Sequence, residues 1–266
     1  MFDSYNRTIN YLRISVTDRC NLRCIYCMPA EGIPLMQHPD ILSFEEILEV
    51  VNQAVGLGFS KIRITGGEPL VRKGVVGLVQ MISRVPGVND LSMTTNGQLL
   101  EQFAGPLKAA GLQRVNISLD STDSDRYAII TRGGDIEKVF RGIKAAREVG
   151  LFPIKINCVI KASPEEEDAQ LVREYSRENG LQIRYIRQMD LENGEFYVVH
   201  GGSGGDCSSC NRLRLTANGM IKPCLFNDME YNVRKSGASE ALKLALQNKP
   251  ACGTVNRNGE FYNIGG

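Results

Sequence analysis

The stretch that decides the architecture is Leu12–Cys27, LRISVTDRCNLRCIYC. Leu12–Thr17 is short and rich in Ile, Val and Thr, which reads as a strand, and three cysteines follow at once in the loop at its C-terminal end. Outward along the chain the same kind of run recurs at Lys61–Thr65, Asp90–Thr95, Arg114–Leu119, Ile154–Ile160 and Gln182–Ile186. Helical stretches lie between them. Ser43 with Glu46 forms a capping box ahead of FEEILEVVNQAVGLG, and further helices are expected around 74–84, 98–110, 135–149 and 164–179, with Gly111, Gly150 and Gly180 as stops. Six βα repeats predict an α/β fold with a parallel sheet, a partial (βα)6 TIM-type barrel whose active groups gather at the strands' C-terminal ends.

After Met189 the rhythm breaks. Residues 190–206, DLENGEFYVVHGGSGGD, are Gly-rich; RLRLTANGMIKPCLF then reads as a hairpin turning at Asn218-Gly219, and a short helix, Ala238–Gln247, precedes a tail ending in Gly265-Gly266. The expected division is therefore a barrel core over 1–189 and a small C-terminal extension over 190–266.

The 266 residues carry 31 Lys+Arg against 30 Asp+Glu, a net charge of +1. That balance gives no reason to expect a non-specific nucleic-acid binder. No apolar run is long enough for a membrane span, and MFDSYNRTIN lacks the apolar region of a secretory signal, so a cytoplasmic location is expected. Eight cysteines stand at 20, 24, 27, 158, 207, 210, 224 and 252, six of them in two triplets. Clustered cysteines in such a chain point to metal or catalysis rather than to a disulfide framework.

Cys20, Cys24 and Cys27 are spaced C-x3-C-x2-C. Three thiolates on one loop can hold three irons of a 4Fe–4S cube and leave the fourth iron open; a three-cysteine zinc site or plain buried thiols are the alternatives. Cys207, Cys210 and Cys224 are spaced C-x2-C-x13-C, again three ligands with one position open. A zinc ribbon is the alternative there, with Cys252, His200 or Cys158 as the fourth ligand it normally needs.

Cys20–Cys27 with Tyr26 before the last cysteine, and Gly66-Gly67-Glu68-Pro69 after the second strand, resemble the radical S-adenosylmethionine superfamily. Further along, CNRLRLTANGMIKPCLF, IRITGGEPLVRK, SMTTNG, VNISLDS and the Gly-Gly terminus resemble the GTP 3′,8-cyclase family of molybdenum cofactor biosynthesis. The resemblance implies two 4Fe–4S clusters, one on each triplet, with S-adenosylmethionine on the open iron of the first and the purine of GTP on that of the second. It implies that an electron from an external donor cleaves S-adenosylmethionine to a 5′-deoxyadenosyl radical, which takes the ribose C3′ hydrogen of GTP, and that C3′ then closes on C8. A downstream pyranopterin-forming protein and a homodimer are the partners it allows.

Carried over position by position, the resemblance assigns Tyr26, Gly66, Gly67, Glu68, Thr94 and Ser118 to S-adenosylmethionine. It assigns Arg13, Lys61, Arg63, Lys155, Arg184, Arg212 and Arg214 to the GTP triphosphate, the Lys61/Arg63 and Arg212/Arg214 pairs alternating so that each lies on one strand face. Cys158 reads as a core residue of the fifth strand, and Cys252 has no role. The chain departs from the family at 190–206, which is short, at Arg187-Gln188-Met189, where the family has Glu-aromatic-Met, and at KASPEEED after the fifth strand. Two rival readings remain: a two-cluster radical enzyme acting on another nucleotide, pterin precursor or peptide, and a non-enzymatic module with two zinc sites.

Overall fold

The structure, a computed structural model, describes residues 1–257 and 261–264. The chain begins with strand β1 (Tyr11–Ser15), helix α1 (Phe44–Gly56) and strand β2 (Lys61–Thr65). Then follow α2 (Val75–Ser83), β3 (Asp90–Thr95), α3 (Leu100–Ala109), β4 (Arg114–Ser118), α4 (Ser124–Thr131) and α5 (Ile136–Glu148). Strand β5 (Lys155–Ile160), α6 (Glu167–Glu178) and β6 (Gln182–Arg187) complete the repeats. All six expected strands form, paired in parallel as β1-β2-β3-β4-β5-β6. Ser43 caps α1 as expected, its side chain accepting from the Glu46 N–H while the Glu46 carboxylate accepts from the Ser43 N–H.

Past residue 190 lie β7 (Arg212–Leu215), β8 (Met220–Lys222), β9 (Tyr231–Asn232), α7 (Val233–Ser236), α8 (Ala238–Gln247) and α9 (Phe261–Ile264). Strand β7 pairs in parallel with β1, so the hairpin extends the same sheet to nine strands. The turn closes at Gly219, whose φ of 86° suits a residue without a Cβ. The segments on either side of residue 190 thus share one sheet and one apolar core, which includes Leu213, Leu215, Ile221, Ala241 and Leu242.

Strand alternation sorts the two faces. Leu12, Ile14, Ile62, Ile64, Met93, Val115, Ile117 and Ile156 are fully buried in the core beneath the helices, each contributing about 1.5–3 kcal/mol, so Ile64→Ala would cost roughly 2–5 kcal/mol. The residues between them are polar or charged and face the barrel interior. Cys158 falls on the apolar set and is fully buried, as its place in the strand predicts. Among the described residues no helix is long and apolar enough to cross a membrane.

The sequence reading missed α4. Its eight residues bury only Tyr127 and Thr131, one side chain per turn, so it has almost no apolar stripe, and the SLDSTD before it reads as loop. Asp123 nevertheless caps it, accepting from the Arg126 N–H. The Gly265-Gly266 tail lies outside the described residues.

Candidate active site

One cavity of about 330 Å³ lies at the C-terminal ends of the strands, and both cysteine triplets line it. Tyr26, Gly66, Gly67, Glu68, Thr94, Ser118, Arg13, Arg212 and Arg214 line it as well. Lys61, Arg63, Lys155 and Arg184 are not on its wall.

The first triplet is held by groups from several strands. Helix α4 receives the cysteine loop at its C-terminal end: the carbonyls of Thr131 and Ile130 accept from the N–H groups of Arg23 and Ile25. Arg132, with φ 54°, donates to the carbonyls of Arg23 and Met28 at 2.9 and 2.7 Å. Tyr26 donates to Asp120 at 2.6 Å, and Asp120 accepts from the Val159 N–H at 2.7 Å, which ties the loop to the ends of β4 and β5. Burial pushes the Asp120 carboxyl up to about 6 against these bonds. Cys20 Sγ accepts from the Leu22 N–H and from Asn96 Nδ2. Burial, with Asp120 and the other two thiols nearby, pushes Cys24 up to about 12.

The Gly66-Gly67 pair has a specific steric cause. The backbone of Thr17–Arg19 crosses directly over it: Gly67 N–H donates to Thr17 O and Glu68 N–H to Arg19 O, at 2.7 and 2.8 Å. A Cβ on Gly67 would collide with the Arg19 carbonyl, and one on Gly66 would stand 2.8 Å from Thr17 O. The glycines therefore let the cysteine loop pack onto the β2 turn. Glu68 is 1% exposed and accepts from Leu70 N–H, Thr95 Oγ1 and Asn96 N–H at 3.0, 2.8 and 2.7 Å. Burial pushes its carboxyl up to about 7 in spite of those donors. The Thr94 hydroxyl also lines the cavity, buried and without a hydrogen-bond partner among the described residues. A hydroxyl and a buried acceptor on the wall of one cavity suit a ligand carrying both donors and acceptors.

The second triplet is assembled from distant segments. Arg7 donates to Cys207 O at 2.7 Å, to Pro250 O at 2.6 Å and to Ala251 O at 2.9 Å, and is itself held by Asp3 at 2.7 Å. Lys249, 3% exposed, donates to Arg212 O at 2.9 Å and Pro223 O at 2.7 Å, beside Cys210 and Cys224. Burial alone would raise the Cys210 thiol, but Lys249 and Arg212 next to it bring it down to about 7. Phe226 closes the wall, stacked on Phe196 with ring centroids 4.6 Å apart.

Among the described residues, no three His, Cys, Asp or Glu side chains converge where a single metal ion could be held. Both triplets are instead sets of thiols outside any disulfide that line one cavity, a donor set suited to a cluster in which each sulfur takes its own iron.

Beneath the cavity the register aligns Arg214, Arg13, Arg63 and Arg114 across β7, β1, β2 and β4, with Ser92 of β3 completing the row. The Arg13 and Arg63 guanidiniums lie 5.6 and 5.3 Å from the centre of the Tyr11 ring. Arg63 donates to Ser92 and Arg184 to Asn116, both at 3.4 Å. Arg114 is paired with Asp90, whereas Arg13, Arg63 and Arg184 have no carboxylate partner among the described residues. Burial, reinforced by Arg13, Arg114 and Arg184, pushes Arg63 down to about 9, and burial likewise lowers Arg13, Arg184 and Lys155. Buried cations that lower one another's pKa make a site short of negative charge. Lys61 is half-buried on the Arg63 face of β2, at the level of Tyr11.

Sequence reasoning did not single out Asp120, Asn96, Arg7, Arg132 or Lys249. Asp120 and Asn96 left a trace in the sequence, inside the VNISLDS and SMTTNG segments.

The Radical SAM superfamily model matches residues 14–174, and the Molybdenum Cofactor Synthesis C model matches 160–254. A curated GTP 3′,8-cyclase of Petrotoga mobilis is 40% identical over 98% of this chain and 97% of its own length. One from Thermodesulfovibrio yellowstonii is 43% identical over 90% and 89%. The Petrotoga alignment runs over 313 positions, more than the 266 residues of this chain, so the relative carries internal segments that this chain lacks. In fold, the chain is similar to Streptococcus suis SuiB bound to S-adenosylmethionine, with TM-score 0.68 and 16% identity over 92% of this chain and 65% of that one. It is also similar to anSMEcpe with bound AdoMet, with TM-score 0.62 and 15% identity over 95% and 93%. Two matched family models that together run from β1 to the last cysteine triplet, and relatives alike over nearly their whole length, place this chain in the radical S-adenosylmethionine superfamily, within its GTP 3′,8-cyclase family.

Proposed function

We propose that this protein is a radical S-adenosylmethionine lyase that cyclises GTP to (8S)-3′,8-cyclo-7,8-dihydroguanosine 5′-triphosphate in molybdenum cofactor biosynthesis, using a 4Fe–4S cluster on each triplet. The observation that carries this reading is that both triplets open on one cavity with a row of buried and half-buried arginines beneath it. Cys20, Cys24 and Cys27 would hold the first cluster, which would supply the electron for reductive cleavage of S-adenosylmethionine to methionine and the 5′-deoxyadenosyl radical.

The chain's own residues bind, orient and exclude water. Glu68, fixed by three donors, offers its carboxylate to the methionine ammonium, and the unpaired Thr94 hydroxyl and Ser118 face the same ligand. The Tyr26–Asp120 bond holds the cysteine loop against β4 while that ligand is seated. Arg13, Arg63, Arg184, Arg212 and Arg214, with Lys61 and Lys155, take the triphosphate, whose charge offsets their mutual repulsion. Cys207, Cys210 and Cys224 would hold the second cluster, which would supply an open iron for the purine. The apolar wall of Phe196 and Phe226 keeps water from the reacting carbon.

An external electron donor is required, and the product passes to a pyranopterin-forming protein. The shortened 190–206 segment takes over the wall, with Phe196, Val199 and Gly205 on the cavity and Arg187 against the Tyr197 ring at 3.8 Å. Anaerobic reconstitution and incubation with GTP, S-adenosylmethionine and a reductant tests the reading. The expected product is the cyclic nucleotide together with 5′-deoxyadenosine, at about eight irons per chain. Deoxyadenosine without a GTP-derived cyclic product overturns the substrate assignment.

A further inference from the structure

Cys252 has no part in the reading above, yet its Sγ stands 3.2 Å from that of Cys207. The approach is built into the fold. Arg7, itself gripped by Asp3, bonds the carbonyls of Cys207, Pro250 and Ala251 at once and so staples the two cysteine-bearing segments together. Lys249 ties the start of the later segment to both arms of the triplet, and the position of a Gly253 Cβ falls 3.4 Å from Cys224 Sγ. Cys252 is exposed and its partner is half-buried. A small oxidant therefore meets Cys252 first.

Two chemistries suit a fourth thiol in this place: a fourth ligand or a cross-link. On a cube each thiolate binds its own iron, which holds the ligand sulfurs well apart. Two sulfurs already in contact need only about 1 Å of closure to reach the ~2.05 Å of a disulfide bond. We propose that Cys207 and Cys252 form a reversible disulfide in the iron-free chain, so that loading of the second cluster requires both thiols reduced. The oxidant is a low-molecular-weight disulfide. The Cys252 thiolate attacks one of its sulfurs and releases one thiol; Cys207 then attacks Cys252 Sγ and releases the second. The protein loses two electrons and two protons, and the small disulfide is reduced to two thiols.

The consequence for loading rests on Cys207 being a ligand of the second cluster, while the cross-link itself does not. The full-length chain, stripped of iron anaerobically and exposed to glutathione disulfide, is digested and read by mass spectrometry. A peptide joining Cys207 to Cys252 is expected, lost on treatment with a dithiol and absent from Cys252→Ser. Joining of Cys207 to Cys210 in its place, or no joined peptide, overturns the proposal. On reconstitution with iron and sulfide, the oxidised wild-type chain should take up about half the iron of the reduced chain, with full recovery on reduction, and Cys252→Ser should load fully after the same exposure. Unchanged iron in the cross-linked chain overturns the gating, and half loading by unoxidised Cys252→Ser makes Cys252 a ligand instead. Half loading by the untreated wild-type chain refutes the second-cluster reading alone, and the joined peptide then decides the cross-link.

Discussion

At the first triplet, three cysteines come from one short loop and the rest of the barrel closes around them; at the second, the cysteines come from two arms of a hairpin that residues 7 and 249 pull together. The first is local in sequence and needs tertiary structure mainly for orientation, through α4, Asp120 and the Gly66-Gly67 crossing. The second depends for its existence on contacts such as Arg7 to Cys207, 200 positions apart. A local site survives loss of one distant support, whereas a site assembled from afar fails when a single buried staple is cut.

Four measurements can break or sharpen that contrast. Cys24→Ala should abolish deoxyadenosine formation altogether and halve the iron, leaving the second triplet loaded; retained cleavage would remove the first triplet from the reaction. Arg7→Ala strands the 0%-exposed Asp3 carboxylate and three carbonyls, so about 3–5 kcal/mol of stability should be lost in chemical denaturation. In that variant iron should be lost from the second triplet and kept by the first, and equal loss from both would erase the distinction.

Arg63→Met removes a buried cation from a repelling row. GTP turnover (kcat/KM) should fall about 10–100-fold, since a hydrogen bond to a charged group is worth roughly 1.5–3 kcal/mol. The ligand-free chain should melt no lower than wild type, because burial of that charge opposes folding. Smallest is the pH effect at Glu68. Its carboxyl is pushed up to about 7, so it ionises above that pH and protonates below it. In the proposed role the ionised carboxylate accepts from the methionine ammonium, so S-adenosylmethionine binding by calorimetry should weaken as pH falls from 8 to 6, by up to about tenfold. Glu68→Gln should flatten that dependence, and a dependence left unchanged would assign it to another group.

The barrel was legible because its signals are local. Strands β2 and β3 begin and end where their Ile-, Val- and Thr-rich runs predict, and α8 matches Ala238–Gln247 at both ends. Strand β1 starts one residue early and ends at Ser15, because the chain beyond Val16 leaves the sheet to cross the β2 turn. Helix α4 was invisible for the opposite reason: it is short and has almost no apolar stripe, and its stability comes from the loop it grips. Of the site, the cysteines, Glu68 and the strand arginines were legible as spacing and resemblance. Asp120, Asn96 and Lys249 were not, since each acts on atoms that only folding brings near.

By itself the sequence determined the parallel α/β barrel, the two thiol triplets and the family, all of which are written in short periodicities and fixed spacings. Only the tertiary structure decided that both triplets face one cavity, that four arginines from separate strands fall into one row, and that Cys252 meets Cys207. The physical reason is register and packing. Parallel pairing sets which side chains share a level, and buried staples such as Asp3–Arg7 set which distant loops touch, and neither is fixed by any local run of residues.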